Sequence, residues 1–244
     1  MKNYLLIILL LPINLLAEET TDEADISTWK GDVQFGYVAT SGNTETTNLN
    51  GKLNIEKIHK KWIHLFSAAA FSTSDNNQTT AERFKLEYQA DRKFTDTKYF
   101  FLNTTYEEDK FSGYDYQATL TGGYGQRLYN ANKMTFDAEI GAGMRQSELD
   151  PEPVTGNVVE ESEAMVRLAA KYLWQIEEKR SVISELTIDA GEETTITNFE
   201  LGFVTMIAGD LSFKAAYIAK YTSDVPADKE NLDTIVSLNL LYAF

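Results

Sequence analysis

Apolar residues recur at every second position through most of this chain, and that period limits its fold more than any other feature. In "RFKLEYQAD", Phe84, Leu86, Tyr88 and Ala90 alternate with Arg83, Lys85, Glu87, Gln89 and Asp91. In "MTFDAEIGAGM", Met134, Phe136, Ala138, Ile140, Ala142 and Met144 oppose Thr135, Asp137 and Glu139. "AMVRLAAKYLW" repeats the pattern, with Ala164, Val166, Leu168, Ala170, Tyr172 and Trp174 opposing Arg167 and Lys171. Successive side chains of a strand point to opposite faces, so each stretch reads as a strand with one apolar face. Helical spacing fits none of them.

Twelve such segments follow one another, at about 29–40, 47–57, 62–73, 81–94, 98–106, 116–129, 134–146, 162–176, 181–191, 195–207, 211–221 and 233–244. Their connections alternate in length. "HKK" (His59–Lys61), "TDT" (Thr95–Thr97), "NANK" (Asn130–Lys133), "EEK" (Glu177–Lys179) and "AGD" (Ala208–Asp210) are short, whereas "EEDKFSGYD", "SELDPEPVTGNVVEE" and "TSDVPADKENL" are long. The first three short turns recur about 36 residues apart, as an array of similar hairpins would. Short turns at one end, long loops at the other and an even strand number predict an all-β chain. The expected fold is a transmembrane antiparallel up-and-down β-barrel of about twelve strands.

The tryptophans agree. Trp29, Trp62 and Trp174 all fall at the short-turn end, joined there by Phe94, Tyr99 and Tyr129. An aromatic girdle at one membrane boundary produces this bias, whereas packing in a soluble core favours neither end. Within the strands, charge sits almost entirely on the parity opposite the aliphatic residues. In a membrane barrel that parity faces the lumen, while a soluble sandwich would turn it outward to water. Periodicity does not separate the two, so the girdle and the two ends of the chain decide.

At the start, one lysine in Met1–Asn3 precedes "YLLIILLLPINLLA", about fourteen apolar residues broken by Pro12 and followed by Glu18 and Glu19. That is the pattern of a secretory signal peptide, and it falls short of the roughly 20 residues a spanning helix needs. The expected division is a signal peptide over 1–17, cleaved after Ala17, an acidic segment over 18–28 and a barrel over 29–244. There is no cysteine, which excludes disulfides, a lipid-modified N-terminal cysteine and thiolate metal sites. The net charge of −15, or −16 without the leader, excludes nucleic acid as a partner. At the other end, "TIVSLNLLYAF" places Thr234, Val236, Leu238, Leu240, Tyr242 and Phe244 on one parity.

That last strand, with Leu240, Tyr242 and Phe244 at alternate positions, resembles the signature read by the machinery that assembles outer-membrane barrels. The stretch "WKGDVQFGYVATSGNTETTNLN" resembles the start of the YdiY-like family, uncharacterised outer-membrane proteins described as salt-induced. "GGYGQRLY" and "LDTIVSLNLLYAF" look like that family as well, so the resemblance spans residues 29–244. It implies a Gram-negative outer-membrane location and contact with outer-membrane lipid and lipopolysaccharide. It also implies recognition by the barrel-assembly machinery through Phe244. The family has no established activity, so no functional residues carry over.

Catalytic chemistry is thin. His59 and His64 are the only histidines, and their odd separation would put them on opposite faces of a strand. His64 with Ser67 or Ser72 lacks a nucleophile-elbow motif. "TGGYG" (Thr121–Gly125) lacks the Lys-Ser/Thr ending of a phosphate loop and reads instead as close packing at Gly122, Gly123 and Gly125. "DPEP" (Asp150–Pro153) and the pairs Glu107-Glu108, Glu160-Glu161 and Glu192-Glu193, read as lying in long loops, lack calcium-loop spacing and form a solvated acidic rim. The expectation is no enzyme, no catalytic or metal-binding residue and no cofactor.

The lumen is the remaining candidate site. Arg83, Lys85, Glu87, Asp137, Glu139, Arg145, Arg167, Lys171, Glu185, Asp189, Glu200, Lys214 and Lys220 share its parity, as do Glu56 and Asp91. If these charges line separate walls they frame a water-filled path that selects ions; if they pair across the interior they form a polar plug. Twelve strands lie between small filled barrels and wide porins, which leaves both outcomes open. The reading is a channel for small solutes or ions, linked to salt or osmotic stress by the family's description. A non-conducting structural or binding barrel is the alternative, and a lipid-modifying enzyme the weaker one.

Overall fold

A computed structural model describes residues 27–40, 46–76, 78–110, 112–149, 158–225 and 229–244. The expected leader, the acidic segment up to residue 26 and the loop at Asp150–Pro153 lie outside these residues. Twelve strands run in order: β1 (Thr28–Thr40), β2 (Thr46–His59), β3 (Trp62–Asp75), β4 (Gln78–Lys93), β5 (Lys98–Asp109) and β6 (Tyr114–Ala131). They continue with β7 (Met134–Leu149), β8 (Glu160–Glu177), β9 (Arg180–Gly191), β10 (Thr195–Ala208), β11 (Leu211–Thr222) and β12 (Leu232–Ala243). Each pairs antiparallel with its sequence neighbours, and β1 pairs with β12 to close the barrel.

Every expected strand is present. The differences concentrate at the long-loop end, where strands run further than the alternation does, as in β5 to Asp109 and β8 from Glu160. A backbone ladder needs only backbone partners, so pairing persists where the side chains on both faces have become polar. The acidic pairs Glu107-Glu108 and Glu160-Glu161 therefore lie within β5 and β8 rather than in loops.

The seam is closed by the register from Asp32↔Ala243 to Phe35↔Leu240. Reciprocal backbone hydrogen bonds of 2.9 Å between Gly31 and Phe244 extend it. Following one rank of paired residues around the wall reveals the tilt. The rank begins at Tyr99, near a short turn, and passes through Gly125, Glu139, Ala169, Thr187, Asn198 and Lys220. It ends at Asp233, beside a long loop, so residues distant in rank reach the same height. Closure of a sheet into a barrel requires this stagger.

The barrel is polar inside and apolar outside. Arg145 is 2% exposed, Thr121 1% and Asn103 not at all, and the other buried polar groups include Asp91, Arg167, Asp189, Lys214 and Lys220. On the outward parity, Phe35, Leu102, Leu120, Ile140, Val166, Leu168, Leu201 and Leu240 are exposed, and Val236 is 77% exposed. A contiguous apolar belt of this extent does not stay in water on a monomeric soluble protein. The tryptophans lie outward at the short-turn end as expected, but Tyr99 does not join them. It faces inward, where its hydroxyl donates to Glu139 Oε1 at 2.8 Å, because residue 99 shares the parity of Phe101 and Asn103. The outward aromatic of that hairpin is Phe100, stacked on Phe94 at 5.0 Å.

Candidate functional site

All thirteen lumen residues singled out from the sequence project inward, and their contacts cross the barrel. Near the long-loop end, Arg83 of β4 pairs with Asp109 of β5 at 2.7 Å and with Asp233 of β12 at 3.6 Å. Lys220 of β11 is ion-paired with Glu107 of β5, two strands half a circumference apart. Arg167 of β8 lies 3.0 Å from Asp189 on β9 and reaches across to Glu87 of β4 at 3.6 Å. Lys85 sits 3.4 Å from Glu87 on the same strand.

A second group lies nearer the short turns and shares β8, β9 and β11 with the first. Lys214 of β11 holds Glu200 of β10 at 2.6 Å and donates to Gln34 Oε1 of β1 at 3.2 Å. Lys52 of β2 approaches the same Glu200 at 3.6 Å, again across the interior. Lys171 and Glu185 pair at 2.8 Å but remain substantially exposed to the lumen. Between the two groups lies a cavity of ≈ 270 Å³, bounded by Lys52, Lys85, Arg167, Glu185 and Glu200 and by the small residues Ala69, Ala216 and Ser237.

The wall from β5 to β8 has no comparable space. Phe101 is 4% exposed, and its ring lies against Gly123 and Gly141, where an added Cβ would stand 2.8 Å from ring carbons in each case. Gly123 and Gly125 of "TGGYG" thus serve close packing, as the sequence indicates, with Gly125 beneath the Tyr99 ring; Gly122 does not, since an added Cβ there would meet nothing nearer than 3.7 Å. Arg145 is enclosed beside them. It donates to Glu163 Oε1 at 2.7 Å and to the backbone oxygens of Thr194 and Asp189 at 2.9 Å each. Lower in the barrel, Arg127 grips Asp137 with two hydrogen bonds of 2.7 and 2.9 Å, and Gln89 of β4 spans to Glu139 of β7 at 3.0 Å.

The lumen reading from the sequence leaves out Lys52, Asp109, Arg127 and Glu163, and takes Glu107 for a rim acid. Glu107 and Asp109 continue the parity of Tyr99 to Thr105, so following that period past Tyr106 would have found them. Glu163 precedes Met165 and Arg167 on the same parity. Which pairs form across the barrel is not legible in any period.

The remaining candidates separate. His64 faces outward, where its Nδ1 lies 2.8 Å from the Tyr88 hydroxyl, while Ser67 faces the lumen and donates to Asn54 Oδ1 at 2.9 Å. The sheet therefore stands between that histidine and that serine. His59 and His64 are not on opposite faces. The turn at Lys60 and Lys61 pairs His59 with Trp62 and Lys57 with His64, which folds both histidines onto the outer surface. Among the described residues, no group of three or more His, Asp or Glu side chains is arranged to hold a metal ion.

Comparison with known proteins agrees with this architecture. The family described as "Protein of unknown function, DUF481" matches residues 33–244. The "Uncharacterized protein YdiY" of Escherichia coli (strain K12) is 25% identical over 216 residues, covering 88% of this chain and 83% of that protein. Among solved structures, the COG4313 outer membrane channel from Pseudomonas putida F1 is similar with a TM-score of 0.54 at 11% identity. The match covers 94% of this chain and 100% of that one. Such a likeness speaks to the fold, an outer-membrane-type barrel.

Proposed function

Because this chain belongs to the DUF481 family, whose members carry no assigned activity, we propose a function from its own lumen: an outer-membrane barrel that passes small ions or polar solutes through a salt-bridged constriction. The observation that carries this reading is the ≈ 270 Å³ cavity, lined by fixed charges of both signs. A pathway for apolar molecules would not retain so many ionised groups, whereas facing charges let an ion exchange its hydration shell for protein ligands. The apolar outer belt supports placement in the outer membrane, reached through the leader at 1–17. A role during salt or osmotic stress follows the family's description and the ionic lumen.

A second reading is favoured by one feature. Lys220–Glu107, Arg167–Glu87 and Lys52–Glu200 each connect non-adjacent strands, as a plug would. Current through single molecules in a planar bilayer separates the two. The protein is first shown to be folded by its heat-dependent gel mobility. Discrete steps, with an ion preference that shifts toward cations in Lys171→Ala, support the channel. Silence in the wild type and in Lys220→Ala together would leave only the non-conducting barrel.

A further inference from the structure

The segment "KIHKKWIH" (Lys57–His64) carries three lysines, both histidines of the chain and no acid, within a protein of net charge −15. The fold gathers more onto it. Pairing of β1 with β2 brings Trp29 beside Lys57, whose ammonium lies 4.8 Å from the indole centroid. Pairing of β3 with β4 brings Arg92 beside Trp62, with the guanidinium carbon 5.9 Å from that ring. His64 stacks between Trp62 and Tyr88, with centroids 6.0 and 6.1 Å away. All of these groups face outward at the short-turn end. Two of the three tryptophans and both histidines thus share one patch.

Most charged residues of the barrel face the lumen in ion pairs. Lys57 and Arg92 do neither: among the described residues, no carboxylate lies within bridging distance of either. The turn is also strained at a lysine. Lys60 has φ of 52°, a left-handed conformation that glycine or asparagine adopts at lower cost. Three of the other four short turns carry acids, namely Asp96, Glu177, Glu178 and Asp210, which this one lacks.

We propose that the outward patch of Lys57, Lys60, Lys61 and Arg92, flanked by Trp29 and Trp62, is a docking site for the headgroup of an anionic phospholipid. Tryptophan settles at the level of membrane headgroups, so the adjacent cations stand at the height of lipid phosphates. The indole faces hold the cationic side chains without neutralising them, which leaves their charge for a ligand. A ligand with a phosphate and acyl chains matches the patch, because the apolar outer belt continues directly above it at Ile55, Phe66 and Leu86. Charge complementarity selects an anionic over a zwitterionic headgroup. The site rests on the membrane placement proposed above, and not on whether the lumen conducts.

The test uses native mass spectrometry of the folded protein released from vesicles of phosphatidylethanolamine with a minor fraction of phosphatidylglycerol. Heat-dependent gel mobility in the same vesicles reports insertion. The expected result is preferential retention of phosphatidylglycerol, reduced on the order of tenfold in Lys57→Gln/Arg92→Gln. Lys133→Gln, at another short turn, is expected to match the wild type. Equal retention in the double variant, equal loss in Lys133→Gln, or no preference between the two lipids would overturn the site while leaving the barrel inserted. Failure to insert at all would instead overturn the membrane placement, and the site with it. Should the double variant fold poorly, Lys60→Asn, which suits the turn, is expected to lower retention by a smaller factor; an unchanged value would count against the site.

Discussion

The wall from β5 to β8 and the wall formed by β9 to β12 with β1 to β4 follow the same alternation, yet one is packed solid and the other encloses a cavity. On the packed side, the inward positions combine large residues with none at all. Phe101 lies over Gly123 and Gly141, and Arg145 fills the space beside them. On the hollow side, small and middling inward residues such as Asn50, Ala69, Ala216 and Ser237 border the cavity together with the larger Phe71, Arg83 and Lys85. The difference shows that a lumen is shaped by how sizes pair across strands, not by how many residues point into it. Charge does not follow the same division. Arg145 on the packed side is enclosed, with its Nε lacking a partner among the described residues. Arg167 and Lys214 beside the cavity are buried as well, while Lys171 of β8 and Glu185 of β9 keep water-accessible surface.

Substitutions sharpen this contrast, and the largest effect is expected at Arg145. Replacing it with Met strands Glu163 and two backbone oxygens in an enclosed site, a loss of about 3–5 kcal/mol by analogy with broken buried ion pairs. Urea unfolding from lipid vesicles measures it, and a loss near zero would mean that water already reaches the guanidinium. Gly123→Val comes next. Its Cβ would meet the β7 backbone at Ile140 O and Gly141 Cα before the Phe101 ring, and overpacking of this kind costs about 1–3 kcal/mol. The counterpart on the other wall is Ala69→Leu, which adds volume where space exists. Its stability should stay within about 0.5 kcal/mol of the wild type, while any single-channel current falls. If Gly123→Val and Ala69→Leu destabilise equally, the two walls do not differ in packing. The smallest change belongs to Lys171→Ala. Its solvent-facing ion pair contributes at most about 1 kcal/mol, so the variant should unfold almost with the wild type even where its ion preference shifts.

Much of this was readable beforehand. Period two gave the strands from Thr28 to Ala243, because side-chain alternation is a property of any strand and needs no tertiary context. It also gave the inward direction of Arg83, Arg167 and Lys220. It failed where the signal depended on a turn or on strand length. The direction of Tyr99 is set by its parity and not by its place near a strand end, and the turn that reverses the chain between His59 and His64 makes their separation in sequence no guide to their faces. Glu107 looks like a loop residue in the sequence because its strand outlasts the apolar alternation that marks it.

The sequence by itself pointed to a closed, inside-out barrel, through alternation over twelve segments taken together with the aromatic bias toward the short turns and the pattern of its two ends; beside lipid only a closed sheet of strands satisfies every backbone group. It also determined which charges enter the lumen. Only the tertiary structure decided which of them meet. Strand tilt lifts Lys220 to the height of Glu107 on the far wall and brings Lys52 to Glu200, and that stagger is a property of the closed sheet as a whole. The same holds for the basic patch at the short-turn end, where Trp29 and Arg92 join a segment far from each in sequence because neighbouring strands place them there.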